Sequence, residues 1–131
     1  MDDSAIVWDF YPGAYGPSIL VELPDRAAVE LLQGIFHRVA TTDARLDMSN
    51  EPRMRLGNIA RLELVRAPWP SRKTLSRTDD TRFVWSCTAE QWETLVELLE
   101  ALRNGPGHQY LTDGKGTDDA LIEVSFGEQH Q

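Results

Sequence analysis

The sequence predicts a single α+β domain, residues 1–131, in which two helices pack on one mainly antiparallel sheet of four or five strands. Two amphipathic segments predict the helices, because each has an N-capping residue and an apolar face. Strand-like segments around them give the order strand, helix, strand, strand, helix, strand. This is the order of the split βαβ, or ferredoxin-like, arrangement. A chain of this length with 41% hydrophobic residues buries a core without disulfides or metals.

Residues 1–17 are predicted to form an N-terminal arm or an edge strand. Ala5–Asp9 has the composition of a short edge strand. The rest is rich in turn residues and aromatic side chains, which we expect to lie across the domain because they would otherwise be exposed to water. Ser18–Leu23, rich in aliphatic side chains, is the first strand of the predicted sheet.

The first helix begins at Asp25, a typical N-cap residue that follows Pro24. Its apolar residues recur at the spacing of one buried helical face, at Ala28, Leu31, Leu32, Ile35, Phe36 and Val39. Gly34 lies inside this helix, where glycine costs about 1 kcal/mol relative to alanine. We interpret Gly34 as a point of close contact between the helix and the sheet.

The middle of the chain alternates strands with polar connections. Residues 40–52 lack an apolar period and are predicted to be a connector. Ile59–Val65 alternates charged with aliphatic residues and is predicted to be a strand, which Pro68-Trp69-Pro70 ends. Residues 71–81 are polar and long for a hairpin connection, so they are predicted to be mobile. They lead into Arg82–Cys87, the predicted hairpin partner of the preceding strand.

The second helix has the clearest boundaries. Thr88 and Gln91 fit a capping box, and Asn104-Gly105-Pro106 is a typical helix end. Between these boundaries one face is apolar, with Trp92, Leu95, Val96, Leu99 and Leu102. Cys87 precedes the cap, and we interpret it as packing against Trp92 rather than as a reactive thiol.

The C-terminal part combines a predicted loop, Gly107–Leu111, with a half-buried strand, Ala120–Phe126. His108, Tyr110 and Asp113 form an alternative ligand site, in which the imidazole would act as a general base. The sequence pattern offers no nucleophile and no oxyanion donor for such a reaction. We therefore favour a loop that supports the sheet.

Composition excludes several classes of function. The single cysteine rules out a disulfide framework and a cysteine-rich zinc site, which favours the reducing cytoplasm. No apolar stretch approaches about 18 residues and no signal sequence is visible, so neither membrane spanning nor secretion is predicted. The histidines lack metal-ligand spacing, and residues 113–119 match neither a phosphate loop nor an EF-hand. No metal and no cofactor are predicted.

The formal charge of −8 is unevenly distributed along the sequence. Residues 53–82 hold eight basic residues against three acidic ones, and the remainder is strongly acidic. This division argues against general nucleic-acid binding and is compatible with one cationic patch on an acidic body. Trp69 lies in the basic segment between two prolines, and Trp and Arg are favoured interface anchors. The residues predicted to bind a partner here are Trp69, Arg72, Lys73 and Arg77.

Four glutamates form a stripe on the second helix, at Glu90, Glu93, Glu97 and Glu100. A solvated helix face is the ordinary explanation for this spacing. The alternative is an anionic docking surface for a basic partner, which would act mainly on the association rate. Since the glutamates lie on a helix and the basic connection lies at one end of the sheet, the two charges are predicted to occupy different surfaces.

The run from Trp85 through Gly107–Leu111 to residues 123–128 resembles the C-terminal third of small uncharacterised bacterial proteins, some of them toxin-neutralising immunity proteins. Together with the acidic charge, this resemblance favours a cytoplasmic binding protein that occludes the active site of a basic toxin domain. Two alternatives stay open. One is a small enzyme that uses His108 with Asp113 or another carboxylate, and the other is an oligomeric structural subunit that pairs through a sheet edge or the Trp69 loop.

Overall fold

The computed structural model describes residues 5–13, 16–112 and 119–127. These residues form two α-helices, α1 (Arg26–Thr41) and α2 (Ala89–Glu100), and two short 3-10 helices, Met48–Asn50 and Ala101–Asn104. Their strands are β1 (Ile6–Gly13), β2 (Gly16–Leu23), β3 (Arg45–Asp47), β4 (Met54–Leu56), β5 (Arg61–Arg66), β6 (Leu75–Asp79), β7 (Arg82–Cys87), β8 (Gly107–Tyr110) and β9 (Leu121–Phe126).

The strands form two mixed sheets rather than the single, mainly antiparallel sheet that the sequence predicts. The first has the order β4-β1-β2-β9-β8 and the second β3-β5-β7-β6. The α+β class with two helices is confirmed in the described chain, but the ferredoxin-like order is wrong. The reason is that each helix carries the chain from one sheet to the other, α1 from β2 to β3 and α2 from β7 to β8. β5 and β7 are accordingly parallel neighbours, and β6 is the antiparallel hairpin partner of β7.

The two halves of the chain share one topology. The segment β1-β2-α1-β3-β5 has the same order as β6-β7-α2-β8-β9. Each sheet contains the hairpin of one half, and the antiparallel strand pair of the other half docks beside it in parallel. Only β4 lies outside this correspondence among the described strands. The fold therefore consists of two ββαββ units that exchange their second strand pairs.

Several segments predicted as connections are ordered by tertiary contacts. β1 is flanked by β4 and β2 and so is not an edge strand, and its Trp8 is fully buried. The predicted connector 40–52 contains β3 and a 3-10 helix whose Met48 is also fully buried. Residues 71–81 contain β6. Gly107–Leu111 contains β8, an edge strand, instead of being a loop.

The helix boundaries follow from local capping, as predicted. The Asp25 carboxylate accepts a hydrogen bond from the Ala28 backbone N–H at 2.8 Å, which starts α1. The Gln91 N–H donates to the Thr88 hydroxyl at 3.2 Å, while the Thr88 N–H donates to the Gln91 side chain at 2.8 Å. This reciprocal pair is the predicted capping box. Cys87, directly before it, is buried, in agreement with a packing role.

Gly34 lies on the solvent-exposed face of α1, and the interpretation that it allows close contact with a sheet is wrong. A Cβ atom added there would meet nothing within 4 Å. Gly34→Ala is therefore expected to raise the free energy of unfolding by about 0.5–1 kcal/mol, because alanine has the higher helix propensity and a less flexible unfolded state. Urea denaturation measures this change. Gly16→Ala is the control, since Gly16 has a φ of 118° and should be destabilised by the same substitution.

The core joins both helices to both sheets around three aromatic rings. Trp92 of α2 packs edge-on against Trp85 of β7, with ring centroids 5.0 Å apart, and against Phe36 of α1 at 5.3 Å. The Trp92 indole N–H donates to the backbone carbonyl of Val65 in β5 at 3.0 Å. All three aromatic side chains are fully buried. Trp92 therefore connects α2 to α1 and to the second sheet.

Asp119 fastens β6 to the chain entering β9, and thereby connects the two sheets. Its carboxylate accepts from the Lys73 ammonium at 2.8 Å and from the Arg77 backbone N–H at 2.7 Å. Its own N–H donates to the carbonyl of Leu75 at 3.0 Å. The Lys73 hydrogen bond, followed by that from Arg77, lowers the pKa of Asp119 below its ordinary value of 3.8.

Asp119→Ala is expected to lower the free energy of unfolding at neutral pH by about 1–2 kcal/mol, because two charge-assisted hydrogen bonds are lost. Since the folded pKa is depressed, this contribution is present above the unfolded pKa and disappears as the pH falls through the folded value. The difference from the unmodified protein should therefore shrink below pH 3.8. Urea denaturation at neutral and acid pH measures it. A difference that stays constant on acidification, or an equal loss in Asp80→Ala, would contradict this assignment.

Candidate partner-binding surface

A groove of about 810 Å³ lies beside the first turns of α2, and we call it the α2 groove. One wall comes from the segments around β5, the other from α2 and its cap. The lining residues are Ala44, Arg66, Ala67, Pro68, Pro70, Thr88, Ala89, Glu90, Gln91 and Thr94. A smaller depression of about 320 Å³, the side groove, continues along α2 and shares three of these residues. It is lined by Ala40, Thr41, Ala89, Glu90, Glu93, Thr94 and Glu97.

Trp69 stands at the α2 groove between two of its lining prolines and is 74% exposed. The other three tryptophans are completely buried, so Trp69 is set apart from the core. The segment that carries it is held at both ends: the Ala67 N–H donates to Cys87 O at 2.8 Å, and the Ser86 N–H donates to Thr74 O at 2.7 Å. Proline rings on both sides restrict its backbone further. An indole displayed on a restrained segment loses little conformational entropy when a partner covers it.

The glutamate stripe of α2 divides into tethered and open carboxylates. Glu93 contacts His37 Nδ1 of α1 at 2.9 Å. Glu100 accepts hydrogen bonds from Gln33 and Arg103, which lower its pKa, Gln33 having the larger effect. Glu90 and Glu97 make no ion pair within the described parts of the chain, and both line the side groove. The negative charge available to a partner is thus concentrated beside Trp69.

The basic residues predicted to share the Trp69 interface are differently engaged. Arg72 is exposed, and Lys73 is bound to Asp119. The Arg77 guanidinium donates to the Asp80 carbonyl at 2.7 Å and lies over the Phe10 ring, 4.4 Å from its centroid.

The positive charge of the 53–82 segment is offset by acidic residues from elsewhere in the chain. Arg53 pairs with Asp25, Arg61 with Asp47, and Lys73 with Asp119. Trp69 itself adjoins Glu90 through the α2 groove. The structure thus differs from the predicted separation of a basic Trp69 surface from an acidic helix surface.

His108 and Tyr110 are exposed on β8, with their rings 5.4 Å apart, at the edge of the first sheet. The strand register places them on the outer face of that sheet, next to Ser125 and Glu123 of β9. Neither residue lines the α2 groove or the side groove. Asp113, the third member of this predicted ligand site, lies outside the described residues.

Within the described ranges, His, Cys, Asp and Glu side chains form no group of three or more that is arranged to hold a metal ion. The same residues contain no helix with the length and hydropathy needed to cross a bilayer.

Sequence reasoning identified Trp69 and Glu90 but missed the residues that join them into one surface. Arg66 and Ala44 reach the groove because β3 and β5 are antiparallel neighbours, and the Arg66 N–H donates to the Ala44 carbonyl at 2.8 Å. Thr94 was a detectable member, because it lies one helical turn after Glu90 on the same face. No protein-family model, curated protein or solved structure matches this chain.

Proposed function

We propose that this chain is a small acidic binding protein that docks a basic partner protein in the α2 groove. The observation that carries the proposal is the 74% exposure of Trp69 between two prolines that line the groove. A large aromatic side chain left in water on a restrained segment is typical of an interface anchor. The open carboxylates of Glu90 and Glu97 supply the electrostatic complement to a basic surface.

The partner proposed here is a toxin, which the protein neutralises by direct binding in the cytoplasm. Two observations support this identity: the net charge of −8, which favours fast association with a cationic protein, and the resemblance of the C-terminal third to toxin-neutralising immunity proteins. Occlusion of a basic active site requires no catalytic group on the inhibitor.

The test is the joint charge reversal Glu90→Lys with Glu97→Lys, measured against the purified product of the adjacent gene. Association is expected to slow by about tenfold or more at low salt and to lose most of its salt dependence, while dissociation changes less. The matched control is Glu22→Lys with Glu123→Lys, an equal charge change on the outer face of the first sheet. Equal effects of the two pairs, or a larger effect of the control pair, would contradict docking in the α2 groove.

A further inference from the structure

The α2 groove combines three features that suit a planar cation, the first of which is the indole of Trp69. Its exposed ring offers a π face to an incoming group. Trp is the aromatic side chain that attracts cations most strongly, and arginine is the cation most often found over such rings. The adjoining prolines hold the ring in place without a charge of their own.

The second feature is the balance of charge along the two grooves. Among their lining residues, Glu90, Glu93 and Glu97 stand against Arg66. The Arg66 guanidinium is already directed to the Ala40 carbonyl, to which it donates at 3.2 Å. A cation that enters beside Trp69 therefore meets carboxylates with a net negative charge.

The third feature is the C-terminal end of α1, where Ala40 and Thr41 line the side groove. The carbonyl groups at a helix C-terminus carry partial negative charge. The contact between Arg66 and Ala40 shows that a guanidinium fits at this helix end.

The molecule also contains the same recognition chemistry internally. The Arg77 guanidinium lies 4.4 Å from the centroid of Phe10 while its N–H groups donate to the carbonyl of Asp80. An aromatic face together with oxygen acceptors thus holds one arginine side chain of this protein at its surface.

We infer that the basic partner enters the α2 groove with an arginine side chain, which stacks on Trp69 and pairs with the carboxylate of Glu90. This inference rests on the proposed function and specifies the ligand of its site. Arginine fits better than lysine because guanidinium is planar, weakly hydrated and able to bind a carboxylate through two parallel hydrogen bonds. The compact, strongly hydrated ammonium of lysine gains less from the indole face.

The test uses three blocked tripeptides, glycine-X-glycine, in which X is arginine, lysine or the uncharged arginine isostere citrulline. Binding to the ¹⁵N-labelled protein is followed at the Trp69 indole N–H. The arginine peptide is expected to bind with a Kd on the order of 1 mM, the lysine peptide several-fold more weakly and citrulline at least about tenfold more weakly. Trp69→Ala and Glu90→Gln should each weaken arginine binding by roughly tenfold, whereas Glu22→Gln should leave it unchanged.

Equal binding of the lysine peptide, or shifts centred away from Trp69 and Glu90, would overturn the inference. So would indole shifts that depend on protein concentration without peptide, because a second copy of the chain would then occupy the groove. If the arginine peptide fails while the charge reversal of Glu90 and Glu97 still slows association with the partner protein, arginine recognition is wrong and the proposed function stands.

Discussion

Replacing Trp69 by alanine is expected to weaken binding of the partner protein by about 30-fold, equivalent to about 2 kcal/mol, mainly through faster dissociation. The indole is 74% exposed before binding, so covering it removes a large apolar surface from water. Surface plasmon resonance with the immobilised partner separates the two rate constants. The association rate should change little, because the substitution leaves the charge unaltered.

The same variant provides its own stability control. Because Trp69 lies outside the core, its removal should change the free energy of unfolding by no more than about 0.5 kcal/mol. Trp69→Phe should retain part of the affinity, since an aromatic face remains. Unchanged dissociation of Trp69→Ala from the partner would show that this residue is no anchor.

Trp92→Ala is expected to have the largest effect on folding, about 3–5 kcal/mol, which is a large part of the stability of an ordinary domain. The substitution removes the ring packed against Phe36 and Trp85 and leaves the Val65 carbonyl without its indole donor. Urea denaturation followed by circular dichroism measures the loss.

A matched pair of substitutions separates packing from hydrogen bonding in this cluster. The Trp85 indole nitrogen has no hydrogen-bond partner among the described residues, whereas that of Trp92 donates to Val65. Trp92→Phe should therefore cost about 1 kcal/mol more than Trp85→Phe. A larger loss for Trp85→Phe would show that the hydrogen bond to Val65 is not what distinguishes them.

The sequence allowed both helices to be predicted because their signals are local. Asp25 and Thr88 cap helices within three residues of themselves, and the apolar spacing of each helix describes one face. Such interactions need no knowledge of the distant chain. The α+β class followed from them together with the strands around them.

The division into two sheets could not be predicted, because it depends on which distant strands pair. Ile59–Val65 has the pattern of a strand wherever its partners lie, and nothing local distinguishes a parallel neighbour from a hairpin. β6 is the clearest case. It has one fully buried residue, Leu75, and otherwise polar side chains, and it is ordered by pairing with β7 and by the contacts of Asp119.

The candidate site was predictable in its anchor but not in its electrostatic surroundings. A tryptophan between two prolines has little local reason to be buried, and Trp69 is indeed exposed. The charge count along residues 53–82 was misleading, because Asp25 and Asp119 fold back onto Arg53 and Lys73. Net charge in a sequence window does not define a surface when its counter-ions come from other segments.

Chemical-shift mapping of the complex with the adjacent gene product tests the central proposal most directly. The account predicts that the Trp69 indole and the backbone amides of Glu90, Gln91 and Thr94 shift most strongly, as expected for residues of the α2 groove. The largest shifts at His108 and Tyr110 on β8, with the α2 groove unchanged, would contradict it.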